Sequence, residues 1–375
     1  MKKFNIIHSL SKLSAAVLAA VLFISSFISS PAAGDNNSKA TSIRTNTVNE
    51  EYNEYALSVL PKHLHALKAA KELNSTNTCY LGKAFEIYNI KNQKATVYYP
   101  LVDAGKIIAI LQVSKHNGEY NSALSKSFAN NLELLLSQNN GEQYTLLTDT
   151  NSLYAYDGKT VKAIYSLNHA APTYATRSAN DYAINTTRAL SLQDLKIATK
   201  NSERSTQMLL GPIEPYESKV LDVAGVKQQD ATCWAATCAA IINYYKGTNL
   251  SDEDVARYIY GDNWKKGAFP KQSEQAYNHW GLYPSYIEGR LAFSGIKQNI
   301  DYGYPLDLHL YGPVLNHEVA LIGYEEWNDE YGGDKVLVLL EPSYASHESV
   351  TLNSNGNFTY VLEGDEMSWI GTFEF

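Results

Sequence analysis

The chain is short of cysteine and of charge. Three cysteines, Cys79, Cys233 and Cys238, occur in 375 residues. An odd number of thiols cannot close into intramolecular disulfides, so at least one thiol stays free. No Cys and His set has zinc-ligand spacing and no phosphate-cradling glycine loop occurs; neither a metal nor another cofactor is expected. Basic residues are outnumbered 31 to 39, for a net charge of −8. General nucleic-acid binding needs a basic face for its phosphate contacts and is therefore excluded. Apart from one run near the start, no segment has membrane-spanning character.

That run reads as a targeting signal. Lys2 and Lys3 give a charged start, Leu13 to Phe27 an apolar stretch, and Ser30-Pro31-Ala32-Ala33 the small residues of a cleavage site. An uncleaved anchor is the alternative. The small-residue site and the polar Gly34-Asp35-Asn36-Asn37-Ser38 that follows favour cleavage. Residues 1–33 are thus expected to be a signal peptide, the mature protein secreted to the extracellular space and free of the membrane.

The patterning beyond it predicts an α+β fold in two parts. In residues 34–210 a helical stripe near 48–72 precedes short apolar or alternating runs at 85–90, 95–99, 106–113, 144–148, 153–156 and 161–166. A helix is expected near 122–136, interrupting the series of strands, which reads as an antiparallel sheet with helices on one face. Residues 168–214 form a polar connector carrying Arg177, Arg188, Lys196, Lys200 and Arg204, a place for proteolytic nicking. The second part, 215–375, has 10 basic and 23 acidic residues, whereas 34–214 has 18 and 16. A mildly basic part lying against an acidic one is favourable.

The chemistry concentrates in the second part. In Gln228-Gln229-Asp230-Ala231-Thr232-Cys233-Trp234-Ala235-Ala236, Thr232 reads as an N-cap and Cys233 as the first residue of an Ala-rich helix. Backbone N–H groups and the helix dipole favour negative charge there, and the thiolate is the nucleophilic form. Cys79 and Cys238 read as small buried hydrophobes. A thiol nucleophile needs a base, and the base an orienting partner. His317 opens an apolar strand and shares parity with Val319 and Leu321, while Glu341 ends the next strand. Both are equidistant from residue 329, inside the intervening turn, so a simple hairpin sets them opposite each other. His309, on the preceding strand, is the rival base; His279 reads as a helix-end residue and His347 as exposed. The oxyanion needs donors, for which the Cys233 N–H and the side chain of Gln228 or Gln229 are candidates.

This order resembles that of the papain-like cysteine peptidases, particularly the compact bacterial staphopain and AvrRpt2-type branches. The carrying residues are Gln228, Cys233-Trp234-Ala235, His317 and Glu341, within about 215–345. The resemblance implies a two-lobed catalytic domain over 215–375, a helical lobe (about 232–302) on an antiparallel sheet (about 304–375). It implies a secreted cysteine endopeptidase acting on proteins or peptides, with Cys233, His317, Glu341 and Gln228 catalytic. It also implies that residues 34–210 are an inhibitory propeptide with an antiparallel half-barrel-like sheet, similar in layout to the half-barrel propeptides of staphopain and streptopain. Three departures stand out. Gln228 is five residues before Cys233 where the family has six, Glu341 replaces Asn or Asp, and no tryptophan follows it in Glu341-Pro342-Ser343-Tyr344. The same Cys-His-carboxylate logic serves transglutaminase-like acyl transfer. A non-catalytic binding protein on a peptidase-like fold is the third reading.

Overall fold

Asn49 accepts a hydrogen bond from the Glu51 amide and so caps the first long helix, whose first turn carries Glu50 and Glu51 at its positive end. The computed structural model describes residues 40–73, 79–91, 93–127, 129–138, 140–149, 152–166, 184–200, 214–312, 316–328, 333–358, 360–362 and 365–375. The expected signal peptide lies outside them, as do Arg177 and Arg204 of the connector.

The chain begins with β1 (Ser42–Thr45), α1 (Glu50–Ala69), β2 (Tyr80–Leu81), β3 (Phe85–Asn89), β4 (Ala95–Asp103), β5 (Lys106–His116) and β6 (Glu119–Ser125). Next come α2 (Ala129–Leu136), β7 (Gln143–Thr148), β8 (Ser152–Tyr156) and β9 (Val161–Ser166). Leu60, Leu64 and Leu67 of α1 pack on Tyr99, Leu101, Leu111 and Val113 of the sheet. The helix expected near 122–136 is corrected here: it starts at Ala129, and Glu119–Ser125 is a strand. Asn117 and Gly118 both have positive φ, 51° and 88°, which makes the tight turn that pairs β6 with β5. Nor is the connector featureless. Its residues Arg188–Ser191 form β10, paired with β1, and a Ser191/Asp194 capping box starts α3 (Leu192–Leu195). The sheet is not wholly antiparallel either, since β7 pairs in parallel with β1 and β3.

The remaining elements are β11 (Glu217–Val220), α4 (Cys233–Lys246), α5 (Asp252–Tyr260), α6 (Pro270–His279), β12 (Ser285–Glu288), α7 (Phe293–Asp301), β13 (Leu306–Tyr311), β14 (Asn316–Glu326), β15 (Lys335–Glu341), β16 (Ser346–Leu352), β17 (Tyr360–Leu362) and β18 (Asp365–Glu374). α5 opens with a Ser251/Asp254 capping box and stops at Gly261, φ 59°. Antiparallel pairs run from β16 through β15, β14, β13 and β18 to β12. The apolar face of α4 packs on β14 in one core with Leu306, Leu308, Val319 and Leu321.

One ladder joins the two parts. β6 pairs with β16 at Leu124↔Ser349 and Ala123↔Val350, giving one curled, half-barrel-like sheet in a mixed α/β fold with few helices. Residues Lys39–Phe375 accordingly form a single compact unit. α1 lies against β15 and β16, and its Ala66 and Ala70 enter the core around α4 and β14. His63 of α1 is fully buried, its two ring nitrogens each 2.8 Å from a serine hydroxyl, Ser122 of β6 and Ser349 of β16. Lys62 pairs with Asp334 and Lys71 with Asp222, attractions of the sign expected from the charge asymmetry.

Candidate active site

The helix start at Cys233 is held by a buried carboxylate that sequence reasoning missed. Asp252, at the head of α5, accepts from the Thr232 hydroxyl (2.6 Å), the Gln229 amide (2.8 Å) and the Gln229 side chain (2.9 Å). Thr232 is therefore the N-cap by position only: its hydroxyl goes to Asp252 and makes no cap bond to the helix. Trp234 is buried and donates its indole N–H to the Lys266 carbonyl, 3.0 Å away. Small residues next to it, Ala235, Ala236, Ala239 and Ala240, are buried and let the helix approach the sheet closely. Cys233 itself stays partly exposed, whereas Cys79 and Cys238 are buried, and none of the three is in a disulfide. Burial pushes the Cys79 thiol up to about 12 and the Cys238 thiol well above its ordinary value.

His317 is buried at the start of β14, with its Nε2 2.9 Å from Oε2 of Glu341. Its ring also hydrogen-bonds Cys233. With Nε2 committed to Glu341, Nδ1 is the nitrogen left to meet the thiol. Burial alone would lower the His317 pKa, but the Glu341 charge and bonds to Cys233 and Glu341 push it up to about 10. Glu341 is fully buried, and its other oxygen accepts from the Ser343 amide at 2.8 Å. The expected register needs correction. Ala320 pairs with Leu340, and a bulge between Leu321 and Gly323 shifts the ladder. Continuing that ladder sets Glu341 opposite Val319, so Glu341 reaches His317 diagonally, along the same face.

Gln228 and Gln229, left open by the sequence, part company in the fold. Gln228 is buried and lines the cleft beside Cys233; its Nε2 donates to the Asp230 carbonyl (2.8 Å) and its Oε1 lies 3.4 Å from the Ser343 hydroxyl. Gln229 is turned away onto Asp252. The cleft is a cavity of about 270 Å³ whose wall includes Cys233, His317, Gln228, Phe269, Pro270, Leu310 and Ile370. Its lining residues fall between Gln228 and Ile370.

His309 lines the same cleft but is turned toward carboxylates. Its Nε2 is 3.6 Å from Glu318 and 3.9 Å from Asp307. Burial lowers its pKa, so the ring is neutral there, and no hydrogen bond pairs it with Cys233 among the described residues. His279 stacks on Tyr258 at the end of α6, as a helix-end residue. His347 is not exposed as expected: it is half-buried and bonded to Glu72 of the N-terminal part at 2.9 Å. Cys238, Asp307 and Glu318 have ligand-type atoms within 4.8 Å of one another, the one such grouping among the described residues. Burial raises both carboxyl pKa values, Glu318 the further, and the two hydrogen-bond each other. Glu348 lies behind Glu341; burial first, then the Glu341 charge, pushes it up to about 8. Neither Glu318 nor Glu348 announced itself in the sequence, because an acid within an apolar strand carries no spacing signal.

A nucleophile at a helix start, a base with a carboxylate behind it, and amide donors at the cleft rim together suit acyl transfer from a carbonyl. Residues 215–356 match the family model described as papain-like cysteine protease AvrRpt2. No curated protein matches the chain.

Proposed function

We propose, from the match of residues 215–356 to the family model described as papain-like cysteine protease AvrRpt2, that the chain is a cysteine endopeptidase made as a secreted zymogen. The observation that carries this reading is His317, bonded on one side to Cys233 and on the other to Glu341. An imidazolium beside a thiol at a helix start favours the thiolate. In the proposed reaction the Cys233 sulfur adds to the scissile carbonyl. The Cys233 N–H and the Gln228 amide stabilise the oxyanion, as the sequence expectation had them. His317 then gives its proton to the leaving amine, and on deacylation takes one from water. Glu341 orients the ring and supports its charge.

Residues 34–210 act in this reading as a propeptide that folds with the two-lobed catalytic domain, 215–375, and is cut away in the connector. Ser125 of β6, bonded to Glu348 beside Glu341, supports a link between that region and the catalytic groups. Residues 1–33 direct export.

The test uses protein expressed from Gly34, wild type beside Cys233→Ala, under reducing conditions, with or without added activating protease. Intact mass and casein cleavage are followed, and amine incorporation is assayed in parallel. Loss of roughly the first 180 residues with casein digestion by the wild type alone is the expected result. Incorporation of amine without hydrolysis would replace the peptidase by an acyl transferase. A stable, processed domain that cleaves nothing and resists thiol labelling would leave a binding protein.

A further inference from the structure

Directly beside Cys233 the cleft has apolar walls and an acidic floor. Phe269, Pro270 and Leu310 supply wall, while Glu318 and His309 form the base. The two base residues stand opposite each other in the β13–β14 ladder. Glu318 is 4% exposed, with Oε1 held by the Ser273 hydroxyl at 3.0 Å. His309 is 8% exposed, and its Nε2 has no hydrogen-bond partner among the described residues although it points at Glu318 from 3.6 Å. Asp307 stands behind them, its Oδ2 accepting from the Tyr277 hydroxyl at 2.8 Å.

A floor of this kind is costly under an aliphatic guest. Methyl groups would seal the free His309 ring nitrogen away from water with nothing to pair it, and would leave the Glu318 carboxyl with the Ser273 hydroxyl alone as donor from outside the acidic cluster. A cation answers both, because Glu318 gives up its proton to become a charged acceptor and the His309 nitrogen accepts as a neutral lone pair. We propose that this floor selects substrates by a lysine or arginine side chain, its methylenes along Phe269, Pro270 and Leu310 and its cationic head between Glu318 and His309. The surrounding field agrees: residues 215–375 carry 23 acidic against 10 basic residues, which draws basic peptides toward the cleft. The proposal rests on the peptidase reading and names the substrate class for that same site.

The experiment uses the preparation that cleaves casein in the test above, so a protein without casein activity fails the peptidase reading before this one is reached. Matched fluorogenic peptides vary one position at a time among lysine, arginine, N-acetyl-lysine and norleucine. At one position kcat/KM for lysine or arginine should exceed that for norleucine and for N-acetyl-lysine by at least about tenfold. Glu318→Gln should bring that ratio close to one. The wild-type comparison needs no variant, so misfolding of Glu318→Gln does not blunt it. Equal or better cleavage of norleucine peptides at every position overturns the proposal. So does zinc found at one equivalent in the active protein and lost with Glu318→Gln, since the floor would then hold an ion through Cys238, Asp307 and Glu318.

Discussion

Thr237, one turn into the helix that Cys233 begins, donates its hydroxyl to the carbonyl of Glu318, 2.9 Å away and one residue past His317. The bond ties the nucleophile's helix to the base's strand inside a dry core. Thr237→Val keeps the shape and removes the donor, leaving the carbonyl without that partner. It should cost about 1 kcal/mol of stability, read as a drop in the urea midpoint. It should also lower kcat/KM about tenfold, because sub-ångström errors between reacting groups are expensive. Unchanged kinetics beside the stability loss would show that the helix is positioned by its Ala-rich packing alone.

Glu341→Gln keeps a hydrogen-bonding side chain at the end of the strand and removes the charge behind His317. Casein and peptide turnover should fall by about 10²- to 10⁴-fold, while Cys233→Ala should abolish it. A second readout is the pH dependence of stability. The raised His317 pKa means that the folded state holds this proton more tightly than the unfolded chain. Its contribution is fully present below about 6.5, declines above that, and is gone once the pH passes about 10. In Glu341→Gln this alkaline decline should flatten. A variant whose stability falls with pH as the wild type's does would place the support of the imidazolium elsewhere.

How these groups could be read before the fold was known differs from one to the next. Cys233 was legible because a polar lead-in, a helix start and an Ala-rich stripe coincide there. His317 and Glu341 were legible by strand order, although their pairing came from a hairpin centred on residue 329, whereas the ladder starts off that centre at Glu326↔Lys335 and the bulge near Ile322 corrects it by only one step. They still meet, because a diagonal neighbour shares the face. Asp252 was hidden: its role depends on α5 lying beside the start of α4, a tertiary fact. The helix expected near 122–136 overran the end of β6, whose Ala123 and Leu124 carry no period of their own, and the Asn117-Gly118 turn decides for a strand there. The β6–β16 ladder was illegible in principle, since a pairing over such a sequence distance leaves no local trace.

His63 should make the joint between α1, β6 and β16 sensitive to acid. Burial first, and then the charge of Lys62, hold its pKa down to about 3, so it is neutral between Ser122 and Ser349. A depressed histidine is stabilising only while neutral. The folded state therefore loses stability as pH falls from about 6.5 toward about 3, by about 1.4 kcal/mol for each pH unit of that interval. Glu72 acts in a lower window. Burial opposes its ionisation, but bonds from His347 and Lys126 hold it down to about 2, so its contribution fades only below about 4.5. The stability advantage of the wild type over His63→Gln, read as the difference in thermal midpoint, should shrink as pH falls from 6.5 to 4.5, because Glu348 titrates in the opposite sense over the same interval in both proteins. A difference between the two that is constant across that upper window would contradict the assignment.

Glu348 should oppose it from about pH 4.5 upward. Its carboxyl is buried behind Glu341, bonded by Ser125, and pushed up to about 8 by burial and then by the Glu341 charge. Near neutral pH it is therefore mainly an acid with its proton on. The unfolded chain gives up that proton near 4.5, so folding takes up a proton between about 4.5 and 8, and stability declines across that range. Glu348→Gln has nearly the same shape, keeps a hydrogen-bonding side chain for Ser125 and cannot ionise. Its thermal midpoint, measured against the wild type, should gain steadily from pH 5 to 8 and level off above 8. The competing effect is packing, because an amide carries a second N–H that must find an acceptor. That cost is independent of pH and shifts the whole difference curve without changing its slope. A flat difference between pH 5 and 8 would mean that Glu348 ionises freely in the folded protein, and that Glu341 does not have a protonated neighbour when it supports His317.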